Sequence, residues 1–409
     1  MSSAAQAEAV WRIEGARIVA TLARVTGDLG LAEDLAQEAL VEALEQWPQA
    51  GVPRNPGAWL TAVAKRRAID GWRRRERLDD RYRAIAHDLS ATTDADWQPI
   101  ADDVLRLVLT ACHPVLSRES QVALTLRVVS GLTTEEIARL LLVPVPTVQA
   151  RITRAKKALA AAGVPFEAPD PAEWGERLGG ALGVVYLVFT EGYAATSGTE
   201  WMRPDLAAEA LRLGRILARL LPREAEALGL VALMELQASR FASRRGPDGE
   251  PVLLEDQDRA RWDRAQIGRG RTALRRADDL ARGRGPYALQ AAIAEQHAIA
   301  PSVAATDWDA IVDLYAALGR LRPNPVVELN RAVAVAMATG PVAGLAIVDG
   351  LLADGALAGS HLLPSVRGEL LARLGREAEA RTAFAEAAAL AANDRTRAVL
   401  MAKAASGRD

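Results

Sequence analysis

The chain contains few of the residues that build disulfides, metal sites or β-sheets. Its single cysteine, Cys112, excludes an internal disulfide and a cysteine-based zinc site. Runs of β-branched residues are scarce, whereas Leu, Ala and Arg are abundant, which favours helices. No apolar run approaches membrane-spanning length, and the first residues lack the basic-then-apolar order of a signal peptide. We therefore expect an all-α protein in the cytoplasm with no membrane segment.

The charges are balanced in number but sorted along the chain. Lys and Arg total 50 against 52 for Asp and Glu, so net charge does not indicate a partner. Between Asp28 and Gln49, however, the chain carries six carboxylates and no Lys or Arg. Residues 65–77 then contain seven Lys and Arg residues. This local sorting is the feature that calls for a functional explanation.

Breaks in the helical periodicity divide the chain into blocks. The periodicity predicts a first helical block at 10–77, an acidic segment at 78–100 and a second helical block at 101–162. Three prolines within seven residues mark 163–172 as a boundary. Helices fill the remaining region, 173–409, in which Ala343 and Ala378 occupy equivalent places. The 35-residue offset between those two alanines suggests tetratricopeptide-like stacking of helix pairs.

The second block contains the signature of a helix-turn-helix. Thr133 and Glu136 have capping-box spacing, which predicts that a helix starts near Thr134. Prolines at 144 and 146 disfavour helical geometry before them, so this helix should stop near Leu141. Pro146 suits the start of the next helix. Small or branched side chains at Ala138, Val148 and Ile152 would let the two helices cross closely.

The second helix of this motif is basic. No acidic residue occurs from 143 to 163, and Arg or Lys can neutralise DNA phosphates there. Side chains near its N-terminal half can reach base edges in the major groove. The alternative is a solvated basic helix. The residues with predicted DNA contacts are Thr147, Gln149, Arg151, Arg154, Lys156 and Lys157.

The acidic stretch predicts a helix with an apolar face and a negative strip. Leu40, Leu44 and Trp47 share the apolar face, and the strip holds Asp34, Gln37, Glu38 and Glu45. The strip has no Lys four residues away to relieve the repulsion between like charges. A basic partner outside the chain would relieve it. The alternative is an ordinary solvated face.

The basic stretch follows Asn55-Pro56, which predicts a helix start. Leu60, Val63 and Ile69 look like core positions together with Trp59. Basic residues with the aromatic Trp72 among them suit single-stranded or melted nucleic acid, because bases can stack while phosphates are neutralised. The alternative places Trp72 in the core beneath a solvated basic face.

Taken together and in order, the three stretches resemble one bacterial family. An acidic "AEDLAQEAL" helix precedes "AWLTAVAKRRAIDGWRRR" and then "GLTTEEIARLLLVPVPTVQARITRAKKAL". The combination resembles the extracytoplasmic-function (ECF) sigma factors of bacterial RNA polymerase over about residues 10–162. The remainder, with "FTEGY", "RPDLAAEALRL" and "PNPVVELNRAVAVA", is similar to the long tetratricopeptide-type extension of one subgroup.

The resemblance implies a role for each block and a set of partners. Region 2 of a sigma factor (10–77) docks on the clamp helices of the largest polymerase subunit and melts the minus-ten element, with the loop 49–55 capturing a flipped-out base. Region 4 (101–162) reads the minus-thirty-five element, and the flap of the second-largest subunit is a further contact. The acidic linker would thread toward the polymerase active centre. Its acidic residues are Asp79, Asp80, Asp88, Asp94 and Asp96.

Site residues follow from the resemblance by position. The residues implied in polymerase docking are Asp34, Gln37 and Glu38. Those implied at the minus-ten element are Trp59, Lys65, Arg66, Arg67, Asp70, Trp72, Arg73 and Arg74. Three positions depart from the family pattern: Arg66 stands where many relatives have Asn, Leu142 where Gly is common, and Ala150 where Ser is frequent.

The C-terminal region carries acidic residues and a histidine without a catalytic or metal-binding spacing. They are Glu191, Asp205, Glu209, Asp256, Asp258, Asp263, His297 and Asp307, and we interpret them as caps and ion pairs. We expect no cofactor and no enzymatic activity. Stacked helix pairs make surfaces for proteins, so we expect this region to regulate polymerase engagement, and the resemblance adds a small YCII-like protein as a partner.

Two other functions explain less of the sequence than a sigma factor does. A helix-turn-helix activator with a helical ligand- or protein-sensing domain would leave the acidic helix and the basic cluster unexplained. A helical-repeat enzyme or scaffold unrelated to DNA would leave all of residues 10–162 unexplained.

Overall fold

The computed structural model describes residues 3–75, 101–141, 143–167, 169–170, 172–194, 201–246, 249–280 and 283–405. Within these ranges the chain is all helical, and its sole β-type pairing is an isolated bridge between Arg245 and Pro251. The chain divides into two compact units, residues 1–185 and 186–409. No helix in the described ranges is both long enough and apolar enough to cross a membrane.

The N-terminal unit is built from seven helices and part of an eighth in the described ranges. They are α1 (Ser3–Thr26), α2 (Leu29–Ala50), α3 (Pro56–Arg75), α4 (Ala101–Ala111), α5 (Arg118–Val128), α6 (Thr134–Leu141), α7 (Val145–Ala161) and the first part of α8 (Trp174–Tyr193). The run "VVYLVF", ambiguous in sequence, lies in α8 and is helical. Leu142 and the segment 76–100, which includes the predicted acidic linker with its five aspartates, lie outside the described residues.

Local capping chemistry sets the starts of α2 and α3. The Asp28 carboxylate accepts hydrogen bonds from the backbone N–H groups of Gly30 (2.7 Å) and Leu31 (3.1 Å), two donors that a helix start leaves without partners. The side-chain oxygen of Asn55 accepts a hydrogen bond from the backbone N–H of Ala58 at 3.1 Å, and Pro56 is the first residue of α3. The predicted start of α3 at Asn55-Pro56 is confirmed.

The first three helices pack on each other around aliphatic and tryptophan side chains. Trp47 at the end of α2 is 2% exposed, and its ring meets that of Trp59 edge-on with centroids 5.5 Å apart. Four alanines also lie on the buried face of α2: Ala32, Ala36, Ala39 and Ala43. Leu44, which the sequence places on the same face as Trp47, is 37% exposed. The small alanine side chains let α2 approach its neighbours closely.

The second helical block of this unit packs on the first. The indole N–H of Trp11 in α1 donates to the carbonyl of Gly131, 3.1 Å away. Arg24, also in α1, donates to the buried carboxylate of Asp103 in α4 at 3.2 Å. Gly131 has a φ of +70°, and an added Cβ would come within 3.1 Å of the Trp11 Nε1. The two blocks therefore meet through specific polar contacts as well as apolar burial.

The C-terminal unit is a succession of helices in which each packs on the next. After the remainder of α8, the described ranges contain α9 (Pro204–Leu220), α10 (Ala225–Ala238), α11 (Arg264–Leu280), α12 (Pro286–Ile299), α13 (Trp308–Leu321), α14 (Pro325–Thr339), α15 (Pro341–Ala353), α16 (Leu362–Arg373), α17 (Glu377–Leu390) and α18 (Asp394–Ala405). Three short 3-10 turns lie between α10 and α11. The predicted helical-repeat architecture is confirmed.

Small residues allow the last helices of this unit to pack closely. Gly344 in α15 lies against α14, where a Cβ would stand 2.6 Å from the carbonyl of Ala332. Gly368 in α16 lies under the ring of Phe384 in α17, with 2.7 Å to an added Cβ. Side chains such as Leu345 and Leu371 fill the shared core. Larger residues at these glycines would separate the helices.

Candidate functional site

The acidic strip on α2 faces solvent but is not free of cations. The side chain of Asp34 is 67% exposed and that of Glu38 is 54% exposed, and Gln37 beside them is half-buried. Both carboxylates nevertheless have a basic partner within the chain. Cations within the chain therefore already relieve part of the repulsion along the strip.

One of these cations comes from the basic helix α3. Arg67 donates to Glu42 through Nη2 at 2.7 Å and to Glu38 through Nη1 at 3.0 Å. The hydrogen bond to Glu42 is the main cause that raises the pKa of Arg67 above its usual range; burial opposes it and Glu38 adds to it. Arg67 thus links the predicted minus-ten surface to the predicted docking strip.

The other predicted minus-ten residues on α3 are distributed over its surface and its packing face. Arg66 is exposed, Lys65 is half-buried with an intramolecular partner, and Trp59 is half-buried against Trp47. Leu60 and Val63 are buried, as predicted, whereas Ile69 is half-buried. The side chains that lie outside the described residues are those of Asp70, Trp72, Arg73 and Arg74.

Helices α6 and α7 form the helix-turn-helix that the sequence predicts. The hydroxyl of Thr133 accepts from the backbone N–H of Glu136 at 3.1 Å, and the Glu136 carboxylate accepts from that of Thr133 at 2.9 Å. This reciprocal pair is the predicted capping box. Ala138, Val148 and Ile152 are all buried where the helices meet.

The outer face of α7 presents polar and basic side chains to solvent. Gln149, Arg154 and Lys157 are exposed, and Arg154 donates through Nε to the carbonyl of Ala150 at 3.2 Å. Thr147 and Arg151 are half-buried on the same helix. A solvent-facing row of this kind can approach the phosphates and base edges of a duplex.

Lys156 differs from the rest of the predicted DNA-contacting set. Its ammonium donates to Asp34 of α2 at 2.8 Å and also to Glu33. Burial alone would lower the pKa of Lys156, but the two carboxylates raise it above its usual range. In this structure Lys156 therefore connects the helix-turn-helix to the acidic helix.

Glu33 is a buried charged residue that the sequence patterns did not single out. It is 4% exposed, and its carboxylate accepts hydrogen bonds from Lys156 and from Nε of Arg127 at 2.8 Å. Burial by itself raises the pKa of Glu33, but Arg127 and Lys156 lower it below its usual range. Glu33 lies three residues before Ala36 and fourteen before Trp47, so helical spacing places it on the buried face. That spacing was the signal available in the sequence.

The polar residues singled out in the C-terminal region act mainly as caps and ion pairs. Asp258, Asp263 and Asp307 cap the backbone N–H groups of Ala260, Gln266 and Ala310. Glu191 pairs with Arg203 at 2.8 Å, and Glu209 with Arg212 at 2.8 Å. No group of His, Cys, Asp and Glu in the described chain could hold a metal ion. Burial raises the pKa of the Cys112 thiol to about 11, so it is not a thiolate at neutral pH.

Three known families match successive segments of the chain. Residues 12–78 match the family Sigma-70 region 2. Residues 106–159 match Sigma-70, region 4. Residues 177–278 match a family of unknown function, DUF6596.

Individual proteins match the chain either over most of its length or over about a third of it. A protein of Rhizobium meliloti, itself described as uncharacterized, is 47% identical over 386 residues, which span 91% of this chain and 89% of the relative. The Mycobacterium tuberculosis protein named "Probable ECF RNA polymerase sigma factor SigI" is 33% identical over 146 residues, which cover 34% of this chain and 49% of that protein. Among solved structures, a tetratricopeptide repeat protein from Parabacteroides merdae has a TM-score of 0.38 and 10% identity, covering 91% of this chain and 100% of that chain.

Proposed function

This chain is an ECF-like sigma factor with a C-terminal extension, and from that premise we propose which surface meets polymerase and which meets promoter DNA. Sigma-70 regions 2 and 4 indicate a non-enzymatic transcription factor. They also imply that the chain binds core RNA polymerase and promoter DNA. We assign these contacts to residues of α2, α3 and α7.

The acidic strip of α2 is the proposed polymerase-docking surface. Asp34 and Glu38 project from one helix with most of their side-chain surface exposed, and Gln37 lies between them. A basic partner such as the clamp helices of the largest polymerase subunit complements that charge. Lys156 and Arg67 already bond these carboxylates, so the polymerase must compete with two internal cations. Docking therefore exchanges internal ion pairs for external ones.

Helix α3 and the loop before it form the proposed minus-ten surface. Arg66 is exposed there, and Lys65, Arg67, Asp70, Trp72, Arg73 and Arg74 complete the assigned set with Trp59. Cationic residues with aromatic neighbours favour melted DNA, because phosphates are neutralised while bases stack. Arg66, where many relatives have Asn, would set the base preference beside the flipped-out nucleotide.

Helix α7 is the proposed reader of the minus-thirty-five element. Gln149, near its N-terminus, is exposed toward the position where a recognition helix meets base edges. Arg154 and Lys157 supply positive charge for phosphates, with Thr147 and Arg151 beside them. The same region 4 block would contact the flap of the second-largest subunit.

The region from 173 to 409, which follows the 163–172 linker in sequence, is the proposed regulatory domain, although residues 173–185 belong to the N-terminal compact unit. A helical unit joined to the two sigma regions in the same chain can control polymerase engagement without a separate protein. A small YCII-like protein is the partner that the family resemblance suggests for it.

One observation carries the proposal: an exposed acidic row on α2 and an exposed basic row on α7 occur in the family-matched regions 2 and 4. The test is co-purification with core polymerase, followed by promoter opening on a heteroduplex template. We expect Asp34→Lys and Glu38→Lys each to weaken core binding about tenfold, as loss of one charge-assisted contact does. Glu167→Lys, an equal charge change at an exposed loop position, is the control.

Two results would contradict the proposal. Equal core binding by Glu38→Lys and Glu167→Lys would remove α2 from the polymerase interface. A chain that binds duplex operator tightly but never associates with core polymerase would instead favour a helix-turn-helix activator.

A further inference from the structure

The C-terminal unit contains a cavity that the sigma-factor function does not use. Its volume is about 490 Å³, within the range of roughly 300–1,000 Å³ that small-molecule sites occupy. It lies between α12, α13 and α14, with the end of α10 at one side. Its polar wall includes Tyr186, Arg240, Gln290, His297, Tyr315 and Arg322. Among the described residues that line it, none is Asp or Glu.

Arg240 belongs to a cluster of three arginines that have no carboxylate partner in the described part of the chain. Arg244 is 9% exposed and lies 3.6 Å from the centroid of the Tyr193 ring. Arg240 and Arg259 lie 5.7 Å and 4.8 Å from the centroid of the Trp262 ring. Arg259 also donates to the carbonyl of Ala300 at 2.8 Å. Arg240 also donates to the Tyr193 hydroxyl, and Arg244 to the Tyr193 carbonyl. Neutral groups of this kind stabilise the guanidinium groups without cancelling their charge.

Burial and the nearby arginine charges both lower the pKa values of groups in and beside this cluster. Burial lowers the pKa of Arg244 to about 10, with Arg240 acting in the same direction and Tyr193 opposing it. Burial also lowers the pKa of His297 to about 4, with Arg240 and Arg259 adding to the effect. His297 is therefore neutral at pH 7, and the positive potential at this wall comes from the arginines.

Two buried polar atoms in this area lack a hydrogen-bond partner among the described residues. One is Nδ1 of His297, which lines the cavity, and the other is Nη2 of Arg259, which lies beside it on the Trp262 ring. Buried unpaired donors are costly, and native proteins usually satisfy them with protein, water or ligand. Tyr186, by contrast, donates to Gln290 at 3.0 Å, which fixes both of these lining side chains. The cavity thus combines a polar side fixed by Tyr186 and Gln290 with the positive charges of Arg240 and Arg322.

We propose that this cavity binds a small organic anion, with a carboxylate or phosphate group near Arg240 and Arg322 and an apolar body against Ile293, Leu318 and Val327. Arg322 is exposed at the end of α13, where it can attract an anion, whereas Arg240 lies deeper. An anion supplies the negative charge that the arginine cluster lacks. The volume is that of a small-molecule site, while a peptide needs an extended groove.

The test is isothermal titration calorimetry on the full chain at constant ionic strength, without polymerase. The probes are phenyl phosphate, benzoate and neutral benzyl alcohol, which share a ring and differ in charge. We expect saturable binding of at least one anion and none of the alcohol. Binding of phenyl phosphate alone assigns a phosphorylated ligand, and binding of benzoate alone assigns a carboxylate. Inorganic phosphate should bind more weakly than phenyl phosphate, because it lacks the apolar body.

Two matched variants locate the binding. Arg322→Glu should weaken binding of the anion about tenfold or more, because it reverses a charge at the cavity. Arg320→Glu, an equal change at an exposed position of the same helix that does not line the cavity, should leave it unchanged. Equal losses in both variants, equal binding of benzyl alcohol, or no binding by either aromatic anion would overturn the proposal. Because polymerase is absent, failure here is separate from failure of the sigma-factor assignment.

Discussion

At the scale of single residues, Glu33 has the largest structural consequence in the N-terminal unit. It is a buried carboxylate in a helix whose other buried residues are nearly all apolar. A buried carboxylate is tolerated only when it is paired, and Arg127 and Lys156 pair it here from α5 and α7. One side chain therefore ties the acidic helix of region 2 to two helices of region 4.

Replacing Glu33 with Gln should destabilise the N-terminal unit. The loss should be about 2 kcal/mol at pH 7, the net value of hydrogen bonds to a charged group. Urea unfolding followed by tryptophan fluorescence measures it. Glu45→Gln, at an exposed position on the same helix, is the control and should have no effect.

The same variant makes a prediction about pH. Because the folded pKa of Glu33 lies below its ordinary value of 4.5, its contribution to stability is present above that value and is lost as pH falls through the folded pKa. The difference between the original chain and Glu33→Gln should therefore shrink below about pH 4.5. A difference that stays constant down to pH 3 or so would contradict this role.

At the scale of elements, α7 presents two different faces. One face carries Gln149, Arg154 and Lys157 to solvent, while Lys156 reaches across to α2. Adjacent lysines on a helix point about 100° apart, so one can meet DNA while the next holds a neighbouring helix. This geometry explains why Lys156 bonds α2 while Lys157 faces solvent.

Substitution of the two lysines should separate these roles. Lys157→Ala should weaken duplex binding across all sequences and reduce the salt slope by about 1, as loss of a phosphate contact does. Lys156→Ala should have a smaller effect on the duplex affinity of the free chain. Fluorescence anisotropy over a range of salt concentrations measures both, with Arg276→Ala, an exposed change in the C-terminal unit, as the control. A larger loss for Lys156→Ala than for Lys157→Ala would reverse the assignment.

At the scale of the whole molecule, the chain consists of two units of different kinds. The N-terminal unit contains the surfaces assigned to polymerase and promoter, and it includes the first part of α8, where Arg177 donates to the carbonyl of Leu109 at 3.4 Å. The C-terminal unit has its own core and its own cavity. A truncation that preserves the first unit therefore has to extend to about Val185 and not stop at the prolines before α8.

A chain that ends at Val185 tests the proposed regulatory role. If residues 186–409 complete polymerase engagement, this shorter chain should initiate less transcription in vitro than the full chain. Thermal unfolding and core binding of the shorter chain establish that the first unit is folded. Transcription equal to that of the full chain would remove the C-terminal unit from the mechanism.

Much of the architecture was predictable because it depends on local chemistry. The starts of α3 and α6 follow from Asn55 and from the Thr133–Glu136 capping box, and each involves residues within three positions. The all-α fold class is likewise predictable from the amino-acid composition and from the helical spacing of apolar residues. Features of this kind need no knowledge of the rest of the chain.

The sequence by itself determined the helices, their caps and the order of the charged surfaces, because these arise between near neighbours. Only the tertiary structure decided that Glu33 is buried between Arg127 and Lys156, which lie 94 and 123 positions away. It also decided that Arg240, Arg244 and Arg259 gather on the rings of Tyr193 and Trp262, and that Arg240 lines a cavity whose described lining contains no acidic residue. Such groupings depend on how whole helices pack, and packing depends on the shape of the core rather than on spacing along the chain.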